Sequence, residues 1–403
     1  VPMGTIAKQT TGNLQVSNTV ALGAVFGLLH CDLSIASKVV KELFGAGKVG
    51  EENSGALKAG YDYAIQNYKG NFKQRVVRID SGERMLINGN EAIALGAIAA
   101  GCKFVSGYPM TPATTILEYM AGKSKEFDIV LFQPEDEIAA VNSIIGASYA
   151  GARAMTATSG GGFCLMVEGL SLAGITETPI VVVLAQRPGP AIGLPTRTEQ
   201  GELEFAVHAG HGDYPKVVLA PGTVEEAFWL TVKAFNLADR YQLPAILITD
   251  HHLASSYFTA DRFDLSKVII DRGEVFAGDD RNEAAGYQRY KSTLSGISPR
   301  AFPGQVEGLV VAADSDEHGE DGHIIEDAET RNRMMEKRMK KLISAKSDIA
   351  APSMYGSTKA DTTLVGWGST CHAIREAVDI LSGEGLSVNS LHLSEMWPFP
   401  AHE

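Results

Sequence analysis

The stretch Pro179-Ile180-Val181-Val182-Val183-Leu184-Ala185 constrains this chain more than any other, because no residue in it carries a polar side chain. Successive residues of a strand point to opposite faces, so such a run must be covered on both sides. That is the situation of a central parallel strand with helices on each face of its sheet. Shorter strand-like segments lie at 103–107, 128–132, 152–157, 216–220 and 243–249. Helix-like runs, several rich in Ala and Gly, separate them at 90–101, 114–122, 138–150, 164–173 and 224–238. Met85-Leu86-Ile87 reads as the strand that opens the domain. This alternation predicts an α/β fold around a parallel sheet over residues 85 to about 250.

Such a sheet gathers its ligand-facing loops at the carboxyl ends of its strands. Three Gly/Pro-rich signatures fall at those ends. In Gly107-Tyr108-Pro109-Met110-Thr111-Pro112 two prolines bracket and stiffen a turn that carries a threonine hydroxyl. Thr156-Ala157-Thr158-Ser159-Gly160-Gly161-Gly162-Phe163 is a glycine turn before a helix expected from residue 164, and such a turn can cradle an anion. It has neither the Lys-Ser/Thr ending of a P-loop nor a Gly-x-Gly-x-x-Gly pattern followed by a ribose-binding acid, so neither nucleotide motif is present. Gln186-Arg187-Pro188-Gly189-Pro190 sets an arginine among glycines and prolines, which suits bidentate carboxylate binding or a surface ion pair. Glu135-Asp136-Glu137 opens a helix, where three acids either favour the helix dipole or supply a ligand-binding carboxylate.

With 403 residues the chain is long enough for more than one core. Its net charge of -13 argues against nucleic acid or an anionic membrane surface as a main partner. Cys31, Cys102, Cys164 and Cys371 form no Cys-x-x-Cys pair, so reduced thiols in a cytoplasmic protein are expected, and no metal-ligand set. No apolar run approaches the roughly 18 residues that span a bilayer. Residues 1–75 read as helical, with Asp32 as a cap and with small residues in 19–29 that let backbones approach closely. A linker covers 76–84. Past the sheet, 251–310 reads as irregular. The acidic stretch 314–323 lacks calcium-loop spacing and reads as a solvated loop or mobile lid. A mixed-charge helix over 325–349 is expected to bridge domains, and a strand–helix–strand unit occupies 361–403.

The signatures Tyr-Pro-x-Thr-Pro, Glu-Asp-Glu-Ile-Ala-Ala, Thr-x-Thr-Ser-Gly and Gln-Arg-x-Gly-Pro-x-x-Gly-Leu-Pro-Thr stand here in one order. On them the chain resembles the fused gamma–alpha subunit of the thiamine-diphosphate-dependent 2-oxoacid:ferredoxin oxidoreductases. The resemblance implies an α/β, parallel-sheet thiamine-diphosphate pyrimidine-binding domain at 85–310. The helical end of a gamma domain (1–75) would precede it. The acidic loop and bridging helix (311–360) and the start of a transketolase C-terminal-like α/β domain (361–403) would follow. It also implies oxidative decarboxylation of a 2-oxoacid, 2-oxoglutarate slightly favoured over pyruvate, with coenzyme A as co-substrate and ferredoxin as electron acceptor.

In the same terms Glu137 resembles the glutamate that hydrogen-bonds the aminopyrimidine N1′. Thr111 and Arg187 resemble the pair facing the substrate carboxylate. Tyr108, Pro109, Thr158, Ser159 and Gly160 match the pyrimidine side of the cleft, while Lys103 and Arg197 are further candidates for a second substrate carboxylate. The chain contains no Gly-Asp-Gly…Asn diphosphate–magnesium motif and no cluster-binding cysteine pattern, so Mg2+ and a [4Fe-4S] cluster are expected on a partner beta subunit. Two departures stand near these residues: Ser159-Gly160-Gly161-Gly162 where Ser-Gly-Pro-Gly is usual, and Gly189-Pro190-Ala191-Ile192-Gly193 where Gly-Pro-Ser-Thr-Gly is usual. A non-oxidative, transketolase-like thiamine enzyme and a non-catalytic assembly subunit are the alternatives.

Overall fold

A computed structural model describes residues 1–400 apart from 69, 71, 78, 80, 81 and 280–283. The expected linker 76–84 and the last expected unit, 361–403, therefore lie partly outside the described residues. Two compact units are present, Val1–Gly82 and Glu83–Glu403.

The first unit consists of α1 (Met3–Thr11), α2 (Ser17–Leu28), α3 (Leu33–Phe44) and α4 (Lys48–Asn67). Asp32 caps α3 by accepting from the Ser34 N–H. The small residues of α2 act as the sequence suggests. A Cβ at Gly23 would lie 1.9 Å from the Leu57 carbonyl oxygen, and one at Gly60 would lie 2.0 Å from that of Val20, so α2 and α4 meet backbone to backbone. One methyl group at this seam must separate the helices. Gly60→Ala is expected to cost about 2 kcal/mol of unfolding free energy, read from a denaturant titration that follows this unit.

In the second unit the chain runs β1 (Met85–Asn88), α5 (Gly89–Ala99), β2 (Phe104–Ser106), α6 (Thr114–Phe127), β3 (Val130–Phe132) and α7 (Glu137–Tyr149). It continues through β4 (Ala154–Thr158), α8 (Gly160–Ile175), β5 (Ile180–Gln186), α9 (Leu203–His208), β6 (Val217–Leu219), α10 (Val224–Tyr241) and β7 (Pro244–Asp250). Then come α11 (His251–Ser255), β8 (Tyr257–Ala260), α12 (Ala328–Ala345), β9 (Ser353–Gly356), β10 (Thr362–Trp367), α13 (Cys371–Gly383), β11 (Val388–Leu393) and β12 (Glu395–Trp397).

The main sheet has seven strands in the order β12-β6-β7-β5-β4-β2-β3. All neighbours are parallel except β12, which runs antiparallel to β6. β5 pairs with β7 from Ile180↔Pro244 to Gln186↔Asp250. Its apolar run divides between two cores, as a strand covered on both faces must. Val181, Val183 and Ala185 enter the core beneath α5, α6 and α10, whereas Ile180, Val182 and Leu184 enter the one beneath α7 and α8.

Several expectations need correction. Met85-Leu86-Ile87 does not join the main sheet but forms an antiparallel ribbon with β8, which lies in a stretch read as irregular. α8 begins at Gly160, not at residue 164, so the three glycines form its first turn. Residues 314–323 are a solvated loop only in part: Ser315, Asp316, Asp321 and His323 are exposed, but the middle of the stretch is packed. His318 is fully buried, 4.0 Å from the Tyr290 ring, and Glu317 accepts hydrogen bonds from Arg331 and Arg338. α12 starts at Ala328 rather than 325, and it buries Lys337 and Lys341 against Glu177 of the sheet unit. The expected strand–helix–strand unit exists, with β10 parallel to β11, but β9 adds an antiparallel edge. Beyond it β12 returns to the main sheet, where Glu395 binds Lys233 of α10 at 2.6 Å.

Candidate active site

β5, β4 and β2 are consecutive in the sheet, so the loops that leave their carboxyl ends are neighbours. Arg187 follows the last residue of β5, and its Nη1 donates to the Thr111 carbonyl at 2.6 Å. That bond ties the β5 loop to the proline-bracketed turn after β2. On the same turn the sulfur of Met110 lies 3.9 Å from Thr158 Oγ1, at the end of β4. From below, Asn90 of α5 pins the turn: its Nδ2 donates to the Pro112 carbonyl and to Thr115 Oγ1, each at 2.7 Å.

Glu137 enters from the start of α7, the helix after β3. The three acids there have separate roles. Asp136 caps the helix by accepting from the Ala139 N–H at 2.8 Å, and Glu135 is exposed. Glu137 is 3% exposed, and its buried Oε1 has no hydrogen-bond partner among the described residues. A Cβ at Gly162 would lie 2.5 Å from this oxygen and 2.1 Å from Thr158 Oγ1, so only glycine lets α8 begin so close to both. Ser159 Oγ is likewise buried and unpartnered. Burial pushes the Glu137 carboxyl above its ordinary value, and nearby Asp136 adds to that, against a backbone N–H that favours the charged form. A buried carboxylate oxygen with no donor to accept from is costly unless one comes from outside the chain. The cradle therefore fits a bound group that presents an N–H to the carboxylate, or a bare ring nitrogen to the carboxyl when that is protonated.

Glu202, just ahead of α9, faces the same corner. Its N–H donates to Gln186 Oε1 at 3.0 Å, while Gln186 Nε2 donates to the Thr249 carbonyl at 3.1 Å. Gln186 thus clamps the returning loop to the ends of β5 and β7. Asp250, at the end of β7, holds that loop again through Thr198 and Gln200.

The structure brings together Glu137, Thr158, Ser159, Gly160, Thr111 and Arg187, with Tyr108 and Pro109 exposed at the rim. It does not bring in Lys103. That residue precedes β2, at the amino end of the strand, and its Nζ donates to the Phe127 carbonyl. Arg197 is exposed and its guanidinium bonds back to Thr196. Asn90, Asp250 and Glu202 were not among the residues singled out in the sequence, and Gln186 stood in a signature without a role of its own. Gln186 and Asp250 gave a signal, being polar residues at the ends of two apolar strands.

Buried polar groups at the ends of adjacent parallel strands, around a carboxylate that lacks a donor among the described residues, are the usual setting of a ligand-binding cleft in an α/β fold. Residues 95–337 match the family described as pyruvate flavodoxin/ferredoxin oxidoreductase, thiamine diphosphate-binding, and the chain belongs to that family. It is 38% identical over 405 residues to 2-oxoacid:ferredoxin oxidoreductase 1, subunit alpha, of Sulfurisphaera tokodaii, covering 96% of this chain and 62% of that protein. It is 36% identical over 323 residues to 2-oxoglutarate synthase subunit KorA of Archaeoglobus fulgidus, covering 79% of this chain and 83% of that protein. A solved structure of 2-oxoglutarate:ferredoxin oxidoreductase from Magnetococcus marinus, with 2-oxoglutarate, coenzyme A and succinyl-CoA bound, superposes with a TM-score of 0.88 at 36% identity. That match covers 99% of this chain and 69% of the other. The chain spans about three fifths of the Sulfurisphaera relative, whose length it covers to 62%.

Proposed function

We propose that this chain is a gamma–alpha subunit, or part of one, of a thiamine-diphosphate-dependent 2-oxoacid:ferredoxin oxidoreductase. The observation that carries the reading is the buried, unpartnered Glu137 Oε1 in a sheet of this family. The names of the relatives favour 2-oxoglutarate over pyruvate as substrate. Coenzyme A would be the acyl acceptor and ferredoxin the electron acceptor. Mg2+ and a [4Fe-4S] cluster would be held by a partner beta subunit. Residues 1–75 would be the closing helices of a gamma domain, and those from 361 the start of a transketolase C-terminal-like domain. Among the described residues no helix is long and apolar enough to cross a membrane, and we place the complex in the cytoplasm.

When bound, thiamine diphosphate supplies the carbon nucleophile and the electron sink that decarboxylation of a 2-oxoacid requires. The residues of this chain do the rest. Glu137 would hydrogen-bond a pyrimidine nitrogen through Oε1 and hold a proton there; burial raises its pKa, which favours the protonated form. Thr158, Ser159 and Gly160 would line the pyrimidine side of the cleft, with Tyr108 and Pro109 at its exposed rim. Arg187 commits Nη1 to the Thr111 carbonyl, which aims the rest of the guanidinium fork at the substrate carboxylate beside the Thr111 hydroxyl. That grip relaxes once the carboxylate departs as neutral CO2.

Arg187→Gln tests the substrate assignment. It removes a partly desolvated charge pair and is expected to raise the KM for the 2-oxoacid about 100-fold. The KM for coenzyme A should move far less. Equal shifts in both would contradict the role given to Arg187.

A further inference from the structure

Glu202 belongs to none of the roles above, yet its carboxyl occupies the corner where the β5 loop meets the first turn of α8. A Cβ at Gly160 would lie 1.5 Å from Glu202 Oε1, so the carboxyl fills the space that a missing side chain leaves. Its Oε2 is buried without a hydrogen-bond partner among the described residues. The Glu202 N–H donates to Gln186, the residue before Arg187, which anchors this part of the loop. The carboxyl therefore sits at the corner between Gly160 and the Gln186-Arg187 pair, outside ion-pair distance of the guanidinium but near enough for Arg187 to favour its charged form.

We propose that Glu202 is a positioning residue that acts as the countercharge of Arg187 in the empty site and takes up a proton when a substrate carboxylate replaces it there. This rests on the function proposed above. The charged and titratable groups facing Glu202 are Arg187 from the end of β5, Glu199 from its own loop and the Cys164 thiol from α8. Burial raises the Glu202 carboxyl to about 7; Arg187 opposes the rise and Glu199 adds to it. An arriving carboxylate neutralises Arg187 and removes the one opposing influence, so Glu202 becomes more basic and binds a proton from solvent. When the carboxylate leaves as CO2, Arg187 regains its pull and the proton returns to solvent. Glu202 thereby tunes the arginine without touching the reacting atoms.

The sign follows by linkage. Binding favours the protonated form, so affinity is full below the free-site pKa and falls as pH rises through it. In the assembled complex, kcat/KM for the 2-oxoacid should fall about tenfold per pH unit above about pH 7, while kcat falls less. Glu202→Gln keeps the side chain neutral at every pH and should remove this limb, leaving a kcat/KM above that of the unsubstituted complex at pH 8.5. A second measurement separates binding from turnover. Calorimetric titration of 2-oxoglutarate into a Glu137→Gln complex, in two buffers of different ionisation heat, should show uptake of close to one proton per site at pH 8. Adding Glu202→Gln should abolish that uptake. A limb or a proton uptake that persists in Glu202→Gln overturns this assignment and leaves the proposed function standing. An unsubstituted complex that turns over no 2-oxoacid at any pH removes both.

Discussion

Glu137→Gln is expected to lower 2-oxoacid-dependent turnover about 1000-fold while the complex still assembles and melts normally. The neutral amide keeps the shape of the side chain but gives up the charge that lets Oε1 hold and release a proton. The fold does not depend on that charge. Asp136, not Glu137, caps α7, and Glu137 Oε1 has no hydrogen-bond partner among the described residues. Because burial raises its pKa in the folded state, ionised Glu137 opposes stability as pH rises through that value. The substitution should therefore leave the melting temperature at pH 8 unchanged or slightly higher, as at other sites that give up stability for function. Turnover within tenfold of the unsubstituted complex would contradict the role of Glu137.

Glu177→Gln should have the largest effect on stability, about 4 kcal/mol, with no direct effect on the site. Glu177 is fully buried at the turn between α8 and β5 and accepts from Lys337 Nζ at 2.7 and 2.9 Å. Lys341, also fully buried, binds Oε2 as well. Burial opposes the charge on Glu177, but Lys337, Lys341 and Arg289 together hold its carboxyl well below the usual range. Burial likewise pushes Lys341 down, against the pull of Glu177. Removing the one carboxylate strands two buried ammonium groups and loosens α12 from the sheet unit. Denaturant unfolding measures the loss, and Lys341→Met added to Glu177→Gln should restore part of it, since the two share one interaction. A loss below about 1 kcal/mol would show that the cluster is hydrated or already neutral.

Much of this was legible in the sequence because it is local. An unbroken apolar run can only be a strand covered on both faces, and β5 divides between two cores as that rule requires. Strand ends then follow, and with them Thr111, Thr158 and Arg187. What was not legible depends on pairing across long separations. β12 falls in the expected unit 361–403 without a reading of its own, because its partner β6 lies about 180 residues earlier and only tertiary structure brings Glu395 to Lys233. The charge of residues 314–323 suggested solvent, yet Glu317 is matched by arginines one helix away and His318 by Tyr290. Glu202 looked like one more acid in a polar loop. Its importance comes from Gly160 and Arg187, which the chain brings to it only when the sheet is built. Lys103 shows the converse error. A basic residue near a motif in sequence stands at the wrong end of its strand.

The most direct test of the account is the visible spectrum of the complex containing this chain, purified with its partner subunit and recorded without oxygen, before and after a 2-oxoacid is added with coenzyme A. The account predicts a broad iron–sulfur band from the partner, bleached by 2-oxoglutarate more readily than by pyruvate, with the bleaching abolished in Glu137→Gln. A complex without such a band, or a band that no 2-oxoacid bleaches while thiamine diphosphate is bound, would contradict it and return the chain to a non-oxidative thiamine chemistry.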